Sequence, residues 1–330
     1  NQYAPMTGVP SLCQAIASKV EDLYGRQTDA SAEVTVCDGA TEGLFSAIQA
    51  VVHPGDEVIV FDPAYDSYDP AVALAGGRTL HIPLTTTDAN PEFHIDWDRL
   101  RDTISDRTRL IIVNFPHNPT GAILSASDLD NLADIVRDTD VYLLSDEVYE
   151  HIVFDGHEHQ SLLRHSELRS RTFVVSSFGK TYHATGWKVG YCVAPPALTT
   201  EFRKIHQWVC YAVITPVQHA LADYMTTHPE HYTELPLFYE QKRDQFCELL
   251  SSSRFTIRPT RGTFFQMLDY SGITNEHDAD YAKRLTREIG VASIPVSVFC
   301  EQPLDRQLLR FCFAKDDSIL EEAASRLCQL

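Results

Sequence analysis

Between residues 57 and 175 the chain repeats one pattern: a short unbroken apolar run, a cluster of polar or turn-forming residues, then a stretch with helical spacing. The runs are Glu57–Phe61, Thr79–Ile82, Arg109–Val113, Val141–Leu144 and Thr172–Val175, all rich in Val, Ile or Leu. Runs that do not alternate with polar residues suit strands covered on both faces. Such strands, spaced by helices, make an α/β fold with a mostly parallel central sheet sandwiched by helices. Helical pieces include 41–52, ended by His53-Pro54-Gly55, and 125–137, opened by Ser125 as an N-cap.

Past residue 195 the texture changes. Long helical patterns at 198–211, 216–227 and 235–251 precede short strands at 255–258, 263–268 and 309–313, and a last helix starts at Ser318. A chain of 330 residues suits two domains. The expectation is a large domain over 1–205 and a smaller α/β C-terminal domain over 206–330. The chain opens at Asn1-Gln2-Tyr3 with no initiator Met and no element leading in, so an N-terminal segment of the large domain is expected to be missing.

Composition narrows the partners. Twenty-seven basic against 46 acidic residues give a net charge of −19, which repels nucleic acid and anionic membranes. No apolar run approaches the ~20 residues of a membrane span, and no signal peptide is visible. The eight cysteines are scattered without a C-x-x-C pair, and most sit in apolar runs such as Val298-Phe299-Cys300. They read as reduced thiols in a cytoplasmic protein rather than as a disulfide or zinc framework. Among the 14 histidines, His157-Glu158-His159 invites a metal reading, but it lies in a polar loop without a third ligand nearby, and no metal site is expected.

In parallel α/β sheets ligands bind beyond the C-terminal ends of the strands. Three of the runs end in unusual polar segments: Asn114-Phe115-Pro116-His117-Asn118-Pro119-Thr120-Gly121, Ser145-Asp146-Glu147-Val148-Tyr149, and Ser176-Ser177-Phe178-Gly179-Lys180. An Asp, an Asn, a Tyr and a Lys brought into one crevice with a phosphate cradle suit a pyridine aldehyde phosphate. The carboxylate keeps the ring nitrogen protonated, Asn and Tyr bond the phenolate oxygen, and Lys forms an imine and then serves as a base. The turn Gly39-Ala40-Thr41, opening a helix, supplies backbone N–H groups for the phosphate.

These motifs, in this order, resemble the class I/II aminotransferases of fold type I, which depend on pyridoxal 5′-phosphate. The run from Ser176 to Pro195 is most similar to the group containing bacterial methionine aminotransferases, kynurenine aminotransferases and glutamine transaminase K. The resemblance covers the whole chain. It implies that Lys180 is the catalytic, cofactor-bearing lysine, that Asp146 pairs with the pyridinium, and that Asn118 and Tyr149 contact the phenolate oxygen. It places Ala40, Thr41, Ser177 and Lys188 at the phosphate, the last a lysine where many relatives carry arginine. Tyr65 would stack on the pyridine face, and Tyr3 would reach the phosphate of the partner subunit in a homodimer with shared sites. Arg310, with Asn118, would bind the substrate carboxylate.

The activity implied is ping-pong transfer of an amino group from a large neutral amino acid, methionine favoured and aromatic ones next, to a 2-oxo acid. Tyr65, Tyr68, Tyr182, His183, Phe264 and Phe265 are candidates to line the side-chain pocket. A cysteine-conjugate or cystathionine-type β-lyase would use the same lysine and is the rival. A non-catalytic regulator is disfavoured by the acidic charge and the lack of a basic DNA-binding segment. A nucleotide-binding protein lacks its glycine motif.

Overall fold

The computed structural model describes residues 2–87, 91–302 and 307–330. Seven strands build the large sheet: β1 (Val34–Cys37), β2 (Glu57–Asp62), β3 (Arg78–Pro83), β4 (Thr108–Asn114), β5 (Tyr142–Asp146), β6 (Thr172–Ser177) and β7 (Gly190–Val193). Their order is β1-β7-β6-β5-β4-β2-β3. All neighbours run parallel except at β7, which is antiparallel to both β6 and β1. The five expected strands are present within two residues at each end. β1 and β7 were not expected, since each has only four residues and β7 opens on a glycine.

The helices are α1 (Pro10–Tyr24), α2 (Gly39–Val51), α3 (Tyr68–Leu74), α4 (Trp97–Thr103), α5 (Ala126–Val136), α6 (Ser166–Arg169), α7 (Phe178–Thr181), α8 (Pro196–Val209), α9 (Thr215–Thr227), α10 (Glu230–Leu249), α11 (Asp278–Arg284) and α12 (Asp317–Leu327). Helices cover both faces of the sheet, which is why its inner strands are buried along nearly all their length. On one face Leu44, Ala47 and Ile48 of α2 pack with Val58, Val60 and Phe202 of α8. On the other, Leu129, Leu132 and Val136 of α5 pack with Ile59, Ile111 and Leu143. Ser125 caps α5 through a box with Asp128, as its sequence position suggests.

A second sheet of four antiparallel strands, β8 (Thr256–Ile257), β9 (Phe265–Asp269), β10 (Ile294–Pro295) and β11 (Leu308–Cys312), has the order β10-β11-β9-β8. It shares a core with α10 and α12, including Tyr239, Phe246, Leu309, Phe313 and Leu320. The position 205/206 falls inside α8, and Leu221, Ala222 and Met225 of α9 pack with Leu12 and Ile16 of α1. Helices α8 and α9 therefore pack with the large sheet, and α10 packs with the small one. α10 starts five residues before the expected Leu235, with Pro236 inside it. No described helix is long and apolar enough to cross a membrane.

Candidate active site

Three strand ends and one helix N-terminus meet around a cavity of about 230 Å³. Its wall includes Gly39, Ala40 and Thr41 of α2, Tyr65, Asn114 and Asn118, Asp146, Val148 and Tyr149, and Ser177, Lys180, Thr185 and Lys188. Nine of the residues singled out from sequence thus come together. Asn118, Asp146 and Lys180 are 28 or more residues apart in the chain; the parallel order β4-β5-β6 brings their strand ends side by side.

Backbone carpentry holds each group. Asn114, the last residue of β4, donates from Nδ2 to the carbonyl of Asp146 at 3.0 Å and accepts at Oδ1 from the N–H of Asn118 at 3.0 Å. It thereby ties the Asn118 loop to the end of β5. Gly121 closes that loop at φ 72°, and a Cβ there would meet Thr260 Oγ1 at 1.7 Å, so only glycine fits. Lys180 sits on α7, a single turn after β6. Its Nζ lies 5.8 Å from the Tyr149 ring centre and 5.5 Å from that of Phe264.

Asp146 is 3% exposed. One carboxylate oxygen accepts from the Tyr68 hydroxyl at 2.7 Å and the other from the Val148 N–H at 3.3 Å. Burial nevertheless raises its pKa to about 6, with the hydrogen bonds from Tyr68 and Val148 opposing. A cationic N–H placed against it would restore the ionised form. Burial also lowers the Lys180 amine, with Arg310 and Lys188 adding to the effect and Cys312 and Asp146 resisting it. Tyr149 is pushed up by burial and stays a hydrogen-bond donor.

At the far end of the cavity, α2 and β7 touch backbone to backbone. A Cβ on Gly190 would lie 2.7 Å from the Ser176 carbonyl oxygen and 2.8 Å from the Ala40 nitrogen. Lys188, left-handed at φ 53°, brings its Nζ within 3.3 Å of where a Cβ of Gly39 would stand. Free N–H groups at a helix N-terminus beside an ammonium make an anion cradle.

Arg310 and Tyr3 do not line this cavity. Arg310, on β11, donates to Asn118 Oδ1 at 2.6 Å and lies over the Phe265 ring at 4.1 Å. Among the described residues it has no ion-pair partner. Tyr3 is 80% exposed and meets Tyr211 edge-on at 5.4 Å.

The side-chain pocket expected from sequence needs correction. Tyr68 is buried, with its hydroxyl on Asp146. Tyr182 stacks on His231 at 4.9 Å and His183 contacts the Tyr239 hydroxyl at 3.1 Å, so both belong to the α10 contact. Phe265 lies under Arg310, leaving Tyr65 and Phe264 from that group near Lys180. Asn114 and Tyr68 were not given these positions by sequence reasoning. Their signal was present, because Asn114 ends a strand and Tyr68 follows Tyr65 by one residue short of a helical turn. His159 Nε2 contacts Glu147 at 2.8 Å.

A buried carboxylate, an amine with lowered pKa and an anion cradle around one cavity are the chemistry of a pyridoxal phosphate site in a fold-type I transferase. A model of the family Aminotransferase class I and II matches residues 1–327, and the chain belongs to that family. It is 51% identical to methionine aminotransferase of Escherichia coli over 330 residues, covering 100% of this chain and 84% of that one. The crystal structure of an E. coli protein with a methionine aminotransferase function superposes with a TM-score of 0.97, covering 100% of this chain and 85% of the other. A probable N-succinyldiaminopimelate aminotransferase of Mycobacterium tuberculosis is 36% identical, covering 100% and 85%. Human kynurenine–oxoglutarate transaminase 3 is 34% identical, covering 98% and 77%. The protein is a transaminase, and pyridoxal 5′-phosphate is its cofactor. The donor set on the cavity wall fits that group.

Proposed function

We propose that this enzyme moves the amino group of a large neutral amino acid, methionine foremost and aromatic ones next, to a 2-oxo acid in two half-reactions that share one cavity. The observation that carries this reading is the Lys180 amine: it reaches the cavity, its pKa is lowered, and it has no hydrogen-bond partner among the described residues. Pyridoxal 5′-phosphate bound there would supply a protonated, electron-withdrawing ring for the substrate α-carbon. Asp146 would hold the ring N–H, Asn118 and Tyr149 would bond the phenolate oxygen, and Tyr65 would lie against the ring. Ala40, Thr41, Ser177 and Lys188 would hold the phosphate. Lys180 would take the α-proton and return it, and burial lowers its amine toward the neutral form that this task requires.

Arg310 receives the substrate carboxylate, one arm already aimed by Asn118. The only cations on the described cavity wall are Lys180 and Lys188, both engaged in these roles. No described cation is left for a second acidic group, which favours a neutral side chain against Tyr65, Val148 and Phe264. Identity with the E. coli methionine enzyme supports the same choice.

Tyr3, Trp208, Val209, Tyr211 and Ile214 expose large apolar side chains. That surface suits a homodimer in which Tyr3 of one chain reaches the partner's phosphate. Eight unpaired cysteines suit a cytoplasmic setting.

The test is to mix the purified enzyme with single amino acids and follow conversion of the lysine-linked cofactor absorbance to that of the amine form. Methionine and phenylalanine are expected to convert it fastest and aspartate slowest. Faster conversion by aspartate would sink the substrate assignment. Lys180→Ala at wild-type turnover would sink the mechanism. Pyruvate, thiol and ammonia as main products from a cysteine conjugate would indicate elimination.

A further inference from the structure

Directly behind the phosphate end of α2 lies a polar cluster outside the cavity wall. Glu42 follows Thr41 in α2, His206 belongs to α8, and Cys210 caps that helix. One donor atom from each lies within 4.8 Å of the others. The His206 and Glu42 side chains are 0% and 8% exposed, so their polar atoms must be satisfied locally.

Hydrogen-bond partners fix where the protons are. Nε2 of His206 stands 2.9 Å from the carbonyl oxygen of Met6, an acceptor only, and so carries a hydrogen. Nδ1 stands 3.0 Å from Oε1 of Glu42. That oxygen also accepts from the Ser46 hydroxyl at 2.6 Å, while the other accepts from the Asp38 N–H at 3.2 Å. A ring nitrogen facing a carboxylate at this distance requires a proton between them. A second proton sits on Cys210, whose thiol is pushed up to about 11 by burial and then by the charges of Glu42 and Asp38. The Cys37 and Cys192 thiols also face Glu42, and both are raised by burial first.

We propose that Glu42, His206 and Cys210 form a site for one thiophilic divalent cation of the zinc class, with water in the fourth position. An imidazole nitrogen, a carboxylate oxygen and a thiolate sulfur are donors such an ion accepts together. A metal-bound histidine characteristically gives its other N–H to a carbonyl or carboxylate, the arrangement His206 already has with Met6. The exchange also balances. Empty, the cluster has one proton between His206 and Glu42 and one on the thiol, with net charge zero. On binding, the N–H and S–H bonds break, two protons leave, and carboxylate, neutral imidazole and thiolate meet a dication, again with net charge zero. No electron is transferred. The phosphate cradle, which begins at the adjacent Thr41, feels no new net charge, while the ion ties the N-terminal segment, α2 and α8 together.

The experiment uses the cofactor-loaded enzyme dialysed against zinc chloride at pH 6, 7 and 8, with metal counted per chain. One zinc is expected, bound more tightly at higher pH because the ion competes with protons for its ligands. X-ray absorption at the zinc edge should show one sulfur neighbour. Cys210→Ser, checked for unchanged cofactor absorbance, should bind ~100-fold more weakly, and Glu42→Gln provides the second variant should serine disturb folding. The proposal is overturned if the wild type binds no zinc, if both variants keep wild-type affinity, or if the bound zinc has two or more sulfur neighbours. The first of these would leave the cluster as an ion pair alone.

Discussion

At the scale of single residues, the placement of Tyr68 is the most consequential. Its hydroxyl donates to a carboxylate that burial would otherwise neutralise. A hydrogen bond to a charged group contributes about 1.5–3 kcal/mol, equivalent to about one to two pKa units. Tyr68→Phe should therefore raise the Asp146 carboxyl by that amount in cofactor-free enzyme, measured by difference infrared spectroscopy. In its proposed place at the cofactor's ring nitrogen, Asp146 would then hold the ring N–H less firmly, and kcat should fall about tenfold, corresponding to ~1.4 kcal/mol. An unchanged carboxyl pKa would refute the link. Sequence had marked Tyr68 as a candidate for the substrate side-chain pocket and not as the partner of Asp146. Its partner is 78 residues away, and nothing local in the chain shows which way its hydroxyl points.

At the scale of elements, the contact between α2 and β7 sets the geometry of the anion cradle. Gly190 lets Ala40 and Ser176 approach to backbone contact, and all the atoms that a methyl group would meet there are backbone, which cannot rotate aside. Gly190→Ala should push α2 away at a cost of about 1–3 kcal/mol. Cofactor affinity is expected to drop at least tenfold, read by titrating cofactor-free enzyme, with far-ultraviolet circular dichroism little changed. Wild-type affinity would show that the cradle tolerates displacement. The Ser125 cap of α5 is a contrasting case, because it was visible in sequence. Ser125→Ala should cost about 1 kcal/mol in urea unfolding and leave kcat alone, since α5 lies on the face of the sheet away from α2. Local motifs such as this are legible because their partners lie within four residues. β7 was missed because its four residues become a strand only between β1 and β6.

For the whole molecule, stability should depend on pH through two buried histidines. Burial lowers His117 and His151 to about 3 each. Their unfolded value is about 6.5, so below that pH the unfolded chain binds protons that the folded one refuses. Their contribution is therefore complete above pH ~6.5 and is lost as pH falls toward 3, each at up to ~1.4 kcal/mol per unit. Urea unfolding at pH 7 and pH 5 should show the loss, and His151→Gln should reduce the slope by about one proton. A variant with the wild-type slope would exclude His151 from the effect. Assembly gives the second test at this scale. Trp208, 84% exposed, is expected to be covered by a partner chain. Trp208→Glu should shift sedimentation toward the monomer and weaken cofactor binding by withdrawing the partner's Tyr3. A variant that sediments as the wild type would remove Trp208 from the interface.

The sequence alone determined the fold class and the identities of the chemical groups. Apolar runs and their spacing reflect burial, and burial follows from side-chain chemistry that any reader of the chain can see. The motifs around Asn118, Asp146 and Lys180 carried their residue types in plain order, and the resemblance to a family supplied roles for them. What only the tertiary structure decided was direction and company. It turned Tyr68 onto Asp146, set Arg310 on Phe265 beside Asn118, withdrew Tyr182 and His183 to α10, and gathered Glu42, His206 and Cys210 behind the cradle. The physical reason is range. Propensity and periodicity act over a turn or a strand, whereas these contacts join residues whose neighbourhood exists only after two sheets and their helices have packed.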